Sequence, residues 1–175
     1  SIRKVRESHD AMFVAIGAQV GKKLHIDGID ADGVFSAVEM LDHIGHGERP
    51  NYEGKIIAVI GGGNVAMDAA RSAVRCGAKE VHVIYRRRQE DMTALASEIE
   101  AAVAEGIELH LLQAPLRVEV NENNQCTAVW VKPQMTGPYK EGRPTPLDNP
   151  SKPEMRVACD VVLNAVGQDV VSKPF

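Results

Sequence analysis

The sequence predicts an α/β fold in which a parallel sheet is followed by an antiparallel meander. Three observations support this prediction. Between residues 55 and 112, continuous apolar runs alternate with amphipathic helix patterns, glycines follow the helix patterns, and later segments alternate apolar with polar positions. Buried parallel strands are apolar throughout, whereas a sheet with one solvated face alternates. The two kinds of pattern, in this order, therefore define the fold class.

Size and composition narrow the class of protein further. The chain has 175 residues, of which 44% are hydrophobic and 25% charged, as in one large domain. Its net charge of −4 argues against a nucleic-acid partner, and no apolar run approaches the roughly 20 residues that cross a bilayer. Three distant cysteines without a CxxC pair fit a reducing cytoplasm. Because the chain begins at serine, we expect a fragment of a longer protein.

The first third of the chain predicts a short strand, a linker and a helix. Residues 12–16 form an apolar run closed by Gly17, as in a buried strand. A Gly/Asp-rich connection follows. From residue 34 to residue 44 apolar side chains recur every three or four positions, which predicts an amphipathic helix that ends in a Gly/Pro loop.

The middle of the chain predicts a βαβαβ unit. Strand patterns at 55–60, 81–85 and 107–112 enclose helix patterns at about 64–76 and 93–105. Strands joined by helical crossovers run parallel, and the crossovers are right-handed. The pattern therefore predicts a Rossmann-like half-sheet.

The last third predicts the meander. Segments 116–120, 127–131 and 155–159 alternate apolar with polar residues, and the Pro-rich segment 134–153 predicts a long loop. The apolar run 161–166 is continuous enough to return to the buried parallel sheet.

A glycine motif lies at the first strand-to-helix junction. Gly61, Gly63 and Ala66 match the spacing G-x-G-x-x-G/A that dinucleotide-binding turns require. Gly61 permits the tight turn, Gly63 leaves room for a diphosphate, and Ala66 allows close helix packing. Free N–H groups there begin a helix whose dipole attracts anions. A tight connection without a ligand and a methyltransferase site are the alternatives. The predicted binding residues at this turn are Gly61, Gly62, Gly63, Asn64, Val65 and Ala66.

An arginine triplet follows the second strand of the unit. Arg86, Arg87 and Arg88 stand where a dinucleotide site holds the adenosine ribose. NAD sites place Asp or Glu there, whereas NADP sites use arginine to pair with the 2′-phosphate. No carboxylate precedes Glu90 after this strand. The triplet favours NADPH, with at least one arginine not used; a solvated run of charges is the alternative.

Four segments together resemble the FAD-dependent NADPH oxidoreductases related to the glutamate synthase small subunit. They are FVAIGA, GGGNVAMDAARSAVRCGAKEVHVIYRRRQEDM, EAAVAEGIEL and DVVLNAVGQD, and they occur in the family's order and spacing from about His9 to Asp169. The resemblance implies a three-layer FAD/NAD(P)-binding sandwich. It also implies a parent protein that holds FAD in one dinucleotide domain and NADPH in a second, inserted domain.

The resemblance implies domain boundaries as well. Residues 1–33 would supply a strand and linker to the flanking FAD domain, residues 34–167 would form the NADPH-binding domain, and residues 168–175 would begin the return to the FAD domain. By the resemblance, residues 15–18 would correspond to the segment where the family leaves its FAD domain, and residues 165–167 to the place where it returns.

Two positions depart from the family pattern. Ile16 stands where the family usually has threonine, and Thr93 where it usually has proline.

By the resemblance, the residues expected near both cofactors are Ala165, Val166 and Gly167.

The implied activity is hydride transfer from NADPH to FAD. Because the cofactors carry that reaction, no catalytic side chain is predicted. The implied partners are NADPH, the FAD domain of the same chain, and an iron–sulfur or other acceptor subunit, without nucleic acid or membrane. The isolated fragment is expected to be inactive without its FAD domain. The alternative is a dinucleotide-sensing module; FVAIGA and NAVGQD, which flank the flavin in the family, favour the enzyme.

Other chemistry receives little support from the sequence. None of Tyr52, Tyr85 and Tyr139 is followed by a lysine four residues later, which a short-chain dehydrogenase requires. The absence of CxxC argues against the dithiol chemistry of thioredoxin reductases.

No metal site is predicted. His43 and His46 share a helix pattern but lack a third and a fourth ligand. His82 and His110 lie in strand patterns, where we expect ordinary packed or edge residues.

Overall fold

The computed structural model describes residues 2–171. The fold has three layers, of which the middle one is a parallel sheet. The helices are α1 (Ile2–Ser8), α2 (Ala37–Gly45), α3 (Asn64–Arg75) and α4 (Ala96–Ala104), with a 3₁₀ turn at Gln89–Asp91. The strands are β1 (Val20–Gly21), β2 (Val34–Ser36), β3 (Ile56–Ile60), β4 (Glu80–Tyr85), β5 (Glu108–Leu111), β6 (Gln113–Val120), β7 (Cys126–Lys140), β8 (Arg143–Asp148), β9 (Met155–Ala158), β10 (Val161–Asn164) and β11 (Gln168–Asp169).

The central sheet has five parallel strands in the order β2-β10-β3-β4-β5. Among the five strands of this sheet β10 comes last in the chain, but it pairs between β2 and β3, so the predicted return of the final apolar run to the buried sheet is confirmed. Parallel strands bring their carboxyl ends to one edge. The junctions that follow β3, β4 and β10 therefore meet there.

Two layers cover this sheet, and the residues of β3 alternate between them. Ile57 and Val59 pack against α2, α3 and α4, whereas Ala58 and Ile60 pack against an antiparallel sheet with the strand order β6-β7-β8, to which β9 adds through β7. All four residues are at most 2% exposed. Burial on both faces explains the continuous apolar run. The predicted fold, a Rossmann-like parallel sheet plus an antiparallel meander in three layers, is confirmed.

Small side chains bring α3 close to the sheet. Ala66, Ala70 and Ala73 are fully buried on one face of the helix, as their spacing predicts. The helix ends at Arg75, one residue before the predicted end. Within residues 2–171, no helix is long and apolar enough to cross a membrane.

The strand predicted at residues 12–16 is wrong. These residues have no regular secondary structure, and Phe13 is 93% exposed. A strand needs a neighbour for its N–H and C=O groups, and the described part of the chain supplies none here. An apolar run alone therefore does not make a strand.

The helix predicted over residues 34–44 begins later than expected. Its first three residues pair with β10 as strand β2, and α2 starts at Ala37. Ser36 is the N-cap, and its Oγ accepts a hydrogen bond from the N–H of Glu39 at 3.5 Å. Residues 34–36 do not join the helix because their backbone pairs with the buried strand β10.

The long loop predicted over residues 134–153 is largely wrong. Strand β7 continues to Lys140, and β8 pairs back against it. Glu141 and Gly142 connect the two strands with φ angles of 52° and 76°, as in a two-residue hairpin turn. Pro144 and Pro146 are tolerated because β8 is an edge strand, where some N–H groups have no ladder partner.

Candidate functional site

The turn between β3 and α3 consists of three glycines, and two of them lie too close to neighbouring strands to carry a side chain. Gly61 has a φ of 149°, which L side chains rarely adopt, and a β-carbon there would collide with the carbonyl oxygen of Ala165. A β-carbon at Gly62 would lie 2.5 Å from the ring of Tyr85. The turn therefore runs tightly between the ends of β10 and β4.

The first N–H groups of α3 are available to a ligand. Within residues 2–171, no acceptor takes a hydrogen bond from the backbone N–H groups of residues 62–65. Gly63 is the N-cap and offers no side-chain acceptor, and the first helical turn has no acidic residue. These groups carry the positive end of the helix dipole. The turn is therefore suited to an anion such as a diphosphate.

These N–H groups face a cavity of about 780 Å³ at the carboxyl ends of β3, β4 and β10. The antiparallel sheet closes the other side through Ala114 and Pro115. A cavity of this size matches those that hold cofactors. Ten of the twelve sequence-predicted site residues line it: Gly61, Gly62, Gly63, Asn64, Val65, Arg86, Arg87, Ala165, Val166 and Gly167.

The other two predicted residues, Ala66 and Arg88, do not line the cavity. Ala66 is fully buried beneath the turn, where it allows the helix to pack closely. Arg88 donates from Nε and Nη2 to the two carboxylate oxygens of Asp91, at 2.9 and 3.0 Å, and from Nη2 to the Tyr139 hydroxyl at 3.3 Å. The hydrogen bond to Asp91 and, less strongly, the hydrogen bond to Tyr139 raise the pKa of Arg88. The bond from Arg88 lowers the pKa of Asp91. Both groups are therefore charged and paired.

The other two arginines of the triplet, Arg86 and Arg87, differ in whether the side chain makes a hydrogen bond. Arg87 donates from Nε to the carbonyl oxygen of Pro144 at 2.9 Å, which fixes it against β8. Arg86 is exposed, and within residues 2–171 it makes no hydrogen bond or ion pair. Arg86 is therefore the member of the triplet that is most available to an anion in the cavity.

Arg143 also lines the cavity, although the sequence did not indicate it. It begins β8, and the β7–β8 hairpin brings it to the cavity that Arg86 also lines. Within the described chain it has no side-chain partner. A basic residue in a Pro-rich segment was the only signal, and the segment was predicted to be a loop. Two arginines from distant parts of the chain thus share one cavity.

The segment after β10 connects the cavity to the N-terminal part of the chain. Ala165 donates its N–H to the carbonyl oxygen of Ile60 at 2.8 Å, and Lys22 donates its N–H to that of Gly167 at 2.9 Å. Strand β11 pairs antiparallel with β1. Residues 20–22 and 167–169 therefore run side by side next to the cavity.

A second cavity, of about 650 Å³, lies at the opposite ends of the parallel strands. Its lining mixes Glu39, His43, Glu48 and Lys55, with charges of both signs. It contains neither the glycine turn nor the arginines of the triplet. It therefore forms no part of the candidate site.

Known proteins match the chain along most of its length. The family model described as "Pyridine nucleotide-disulphide oxidoreductase" matches residues 3–174. The beta subunit of an NADP(+)-dependent formate dehydrogenase from Moorella thermoacetica is 38% identical over 167 residues, which cover 94% of this chain and 24% of that protein. The small chain of the NADPH glutamate synthase of Escherichia coli is 36% identical over 146 residues, which cover 77% of this chain and 31% of that protein. The chain thus spans about a quarter to a third of these relatives.

Solved structures share the fold. The chain superposes on Mycobacterium tuberculosis FprA, solved in complex with NADPH, with a TM-score of 0.79 and 19% identity, over 99% of this chain and 53% of that chain. Thioredoxin reductase from Lactococcus lactis matches with a TM-score of 0.63 and 20% identity, over 87% of this chain and 43% of that chain. At these identities the similarity shows the architecture alone.

Proposed function

Because this chain belongs to the pyridine nucleotide-disulphide oxidoreductase family, we propose that it is the NADPH-binding domain of a flavoprotein that passes hydride from NADPH to FAD. One observation carries the proposal. The backbone N–H groups of residues 62–65 have no acceptor within residues 2–171, and these four residues line the same cavity as Arg86 and Arg143. NADPH carries negative charge at two separate places, its diphosphate and its 2′-phosphate, and the cavity offers positive groups for both.

Each part of the cavity then has a role in binding. The N–H groups of residues 62–65 would hold the diphosphate, and Arg86 and Arg143 would hold the 2′-phosphate. The small residues 165–167 would leave room beside the reacting ring. When bound, the nicotinamide supplies the hydride that the flavin accepts. The contribution of this chain is to bind and orient, which requires no side-chain acid or base.

We also propose that residues 1–33 and 168–175 belong to a FAD domain and that residues 34–167 form the NADPH-binding domain. Phe13 is 93% exposed, and Val170 and Val171 are 53% and 52% exposed. Helix α1 buries no residue. Apolar side chains this exposed suit a covering domain. The pairing of β1 with β11, one strand from each of the two segments, supports assigning both segments to the same domain. Residue 1 and residues 172–175 lie outside the described part of the chain.

The electron acceptor is proposed to lie outside this chain. The relative from Moorella thermoacetica and an NADPH-Fe(3+) oxidoreductase from Geobacter sulfurreducens are both named as beta subunits. We therefore infer an iron–sulfur or other acceptor subunit besides the FAD domain. Cys76, Cys126 and Cys159 are free thiols, which suits a reducing cytoplasm.

Replacing Arg86 with Ala is expected to weaken NADPH binding about 10- to 100-fold and to leave NADH binding nearly unchanged, because NADH lacks the 2′-phosphate. A charge-assisted hydrogen bond contributes about 1.5–3 kcal/mol. Isothermal titration calorimetry with each dinucleotide measures both affinities. The wild-type chain is expected to prefer NADPH.

Arg75→Ala is the matched control for this prediction. Arg75 lies at the far end of α3 and pairs with Glu105 at 2.8 Å, and it does not line the cavity. Its loss changes the net charge equally and should leave NADPH affinity unchanged. Equal binding of NADPH and NADH by the wild type would contradict the proposal.

In the protein that includes its FAD domain, NADPH is expected to bleach the visible absorption of the flavin under anaerobic conditions, because hydride transfer yields reduced flavin. Stopped-flow absorbance measures the rate, and an equal concentration of NADH should act more slowly. A protein that binds NADPH without bleaching would be the dinucleotide-sensing module, and the proposed hydride transfer would then be wrong.

A further inference from the structure

Three side chains that can bind a metal converge on the edge of the parallel sheet. His82 lies in β4, and Glu108 and His110 lie in β5, the last strand of the sheet. In the register of the two strands, His82 pairs with Glu108 and Ile84 pairs with His110. Because alternate residues of a strand point to the same face, the three side chains share one face. None of them lines the dinucleotide cavity.

The distances between the donor atoms match those around a tetrahedral zinc ion. His82 Nδ1 lies 3.0 Å from His110 Nε2 and 3.4 Å from an oxygen of Glu108, and the other oxygen of Glu108 lies 3.5 Å from His110 Nε2. Zinc bonds of about 2.0–2.1 Å separate the ligands of a regular tetrahedron by roughly 3.3–3.4 Å. The two nitrogens and the carboxylate of Glu108, which brings a different oxygen close to each nitrogen, are therefore spaced closely enough to share one ion.

The surroundings favour a bound ion. The side chains of His82 and His110 are only 13% and 18% exposed, so water competes little for their nitrogens, whereas Glu108 is 64% exposed and leaves a path for entry. The second ring nitrogen of His82 lies 3.7 Å from a carboxylate oxygen of Glu80. This distance is too long for a hydrogen bond, but the negative charge of Glu80 beside the ring favours a bound cation. A water molecule would complete a four-coordinate site.

The simplest alternative is one hydrogen bond between two neutral imidazoles. Such a bond explains the 3.0 Å separation of the two ring nitrogens. It does not explain why the carboxylate of Glu108 approaches the same two nitrogens from strand β5. Three donor groups grouped this closely are better explained by a shared cation.

We propose that His82, Glu108 and His110 bind a Zn²⁺ ion that joins the edge strand β5 to β4. Two imidazoles and one carboxylate form a donor set that zinc accepts. Because the site requires the folded register of the two strands, the ion stabilises the native state by mass action. The site is independent of the proposed dinucleotide function.

Titration of the tag-free, chelator-stripped chain with ZnCl₂ tests the site. Calorimetry is expected to show one ion per chain, and zinc is expected to raise the melting temperature, because the ion binds the folded chain. Substituted Co²⁺ is expected to give the intense visible absorption of a four-coordinate ion. Cys126 and Cys159 are buried and do not compete in the folded protein.

His110→Gln and Glu108→Gln are expected to weaken zinc binding about 30-fold each. Glu108→Gln alters an exposed side chain, so its effect does not depend on core packing. His43→Gln is the matched control: His43 Nδ1 also lies beside a carboxylate, 3.3 Å from Glu48, but without a third donor, and zinc affinity should not change. Absence of binding, binding that survives both ligand substitutions, or the weak absorption of six-coordinate Co²⁺ would overturn the proposal.

Discussion

Replacing Gly63 with Asp is expected to lower the affinity for NADPH about 1,000-fold and to leave the fold at least as stable as the wild type. The new carboxylate would occupy the start of α3, where the unpaired N–H groups await an anion. It would repel the diphosphate and take its hydrogen bonds. Loss of two charge-assisted bonds costs about 4 kcal/mol, which corresponds to this change in affinity.

The fold is expected to tolerate the same substitution. Gly63 is the N-cap of α3 with φ −104° and ψ 177°, an extended conformation that any residue adopts. Its β-carbon would lie 3.2 Å from Thr93 Oγ1, which is close but not prohibitive. Asp is favoured over Gly at an N-cap by a few tenths of a kcal/mol. Calorimetry measures the affinity, and thermal denaturation shows that the fold is retained.

Leu95→Asp is the matched control. Leu95 is the N-cap of the neighbouring helix α4, is 61% exposed and does not line the cavity. It receives the same charge at the same helical position, and the NADPH affinity should stay within about threefold, since exposed charges are screened by salt. If the Gly63 variant bound NADPH as tightly as the wild type, the diphosphate would not lie at α3 and the proposed site would be wrong.

Replacing Gly61 with Ala is expected to lower the free energy of unfolding by about 3 kcal/mol. Two costs combine: a φ of 149° is strained for a residue with a β-carbon, and that carbon would collide with the carbonyl oxygen of Ala165. The backbone cannot move away easily, because Ala165 donates its N–H to Ile60, one residue before the turn. Urea denaturation followed by circular dichroism measures the change.

Gly45→Ala is the control, and it is expected to change the free energy of unfolding in the opposite direction. Gly45 ends α2, has no positive φ, and has open space where a β-carbon would be added. Alanine has the higher helix propensity, so this substitution should raise the stability by up to about 1 kcal/mol. A loss below 1 kcal/mol at Gly61 would show that the turn is looser than the structure indicates.

The parallel sheet and the glycine turn could be predicted because their signals are local. Burial on both faces makes β3 apolar throughout, and the strand-to-helix turn requires its glycines within three residues. The strand prediction for residues 12–16 was wrong because apolar character alone does not supply a strand with a pairing partner. The loop predicted over residues 134–153 failed because prolines in an edge strand resemble prolines in a loop.

The sequence by itself determined the α/β class and seven of the residues that line the cavity, because strand and helix periodicity and the glycine spacing reflect contacts made within a few residues. Residues 165–167 were implied by the resemblance to a known family. Only the tertiary structure decided that Arg88 pairs with Asp91, that Arg143 joins Arg86 at the cavity, and that His110 meets His82. The pairing of Arg88 with Asp91 is made three residues apart at a 3₁₀ turn, whereas the other two contacts depend on hairpin pairing and on strand register. Which segments pair, and in which register, depends on packing between parts of the chain that are distant in sequence, and the pattern of one strand does not reveal it by itself.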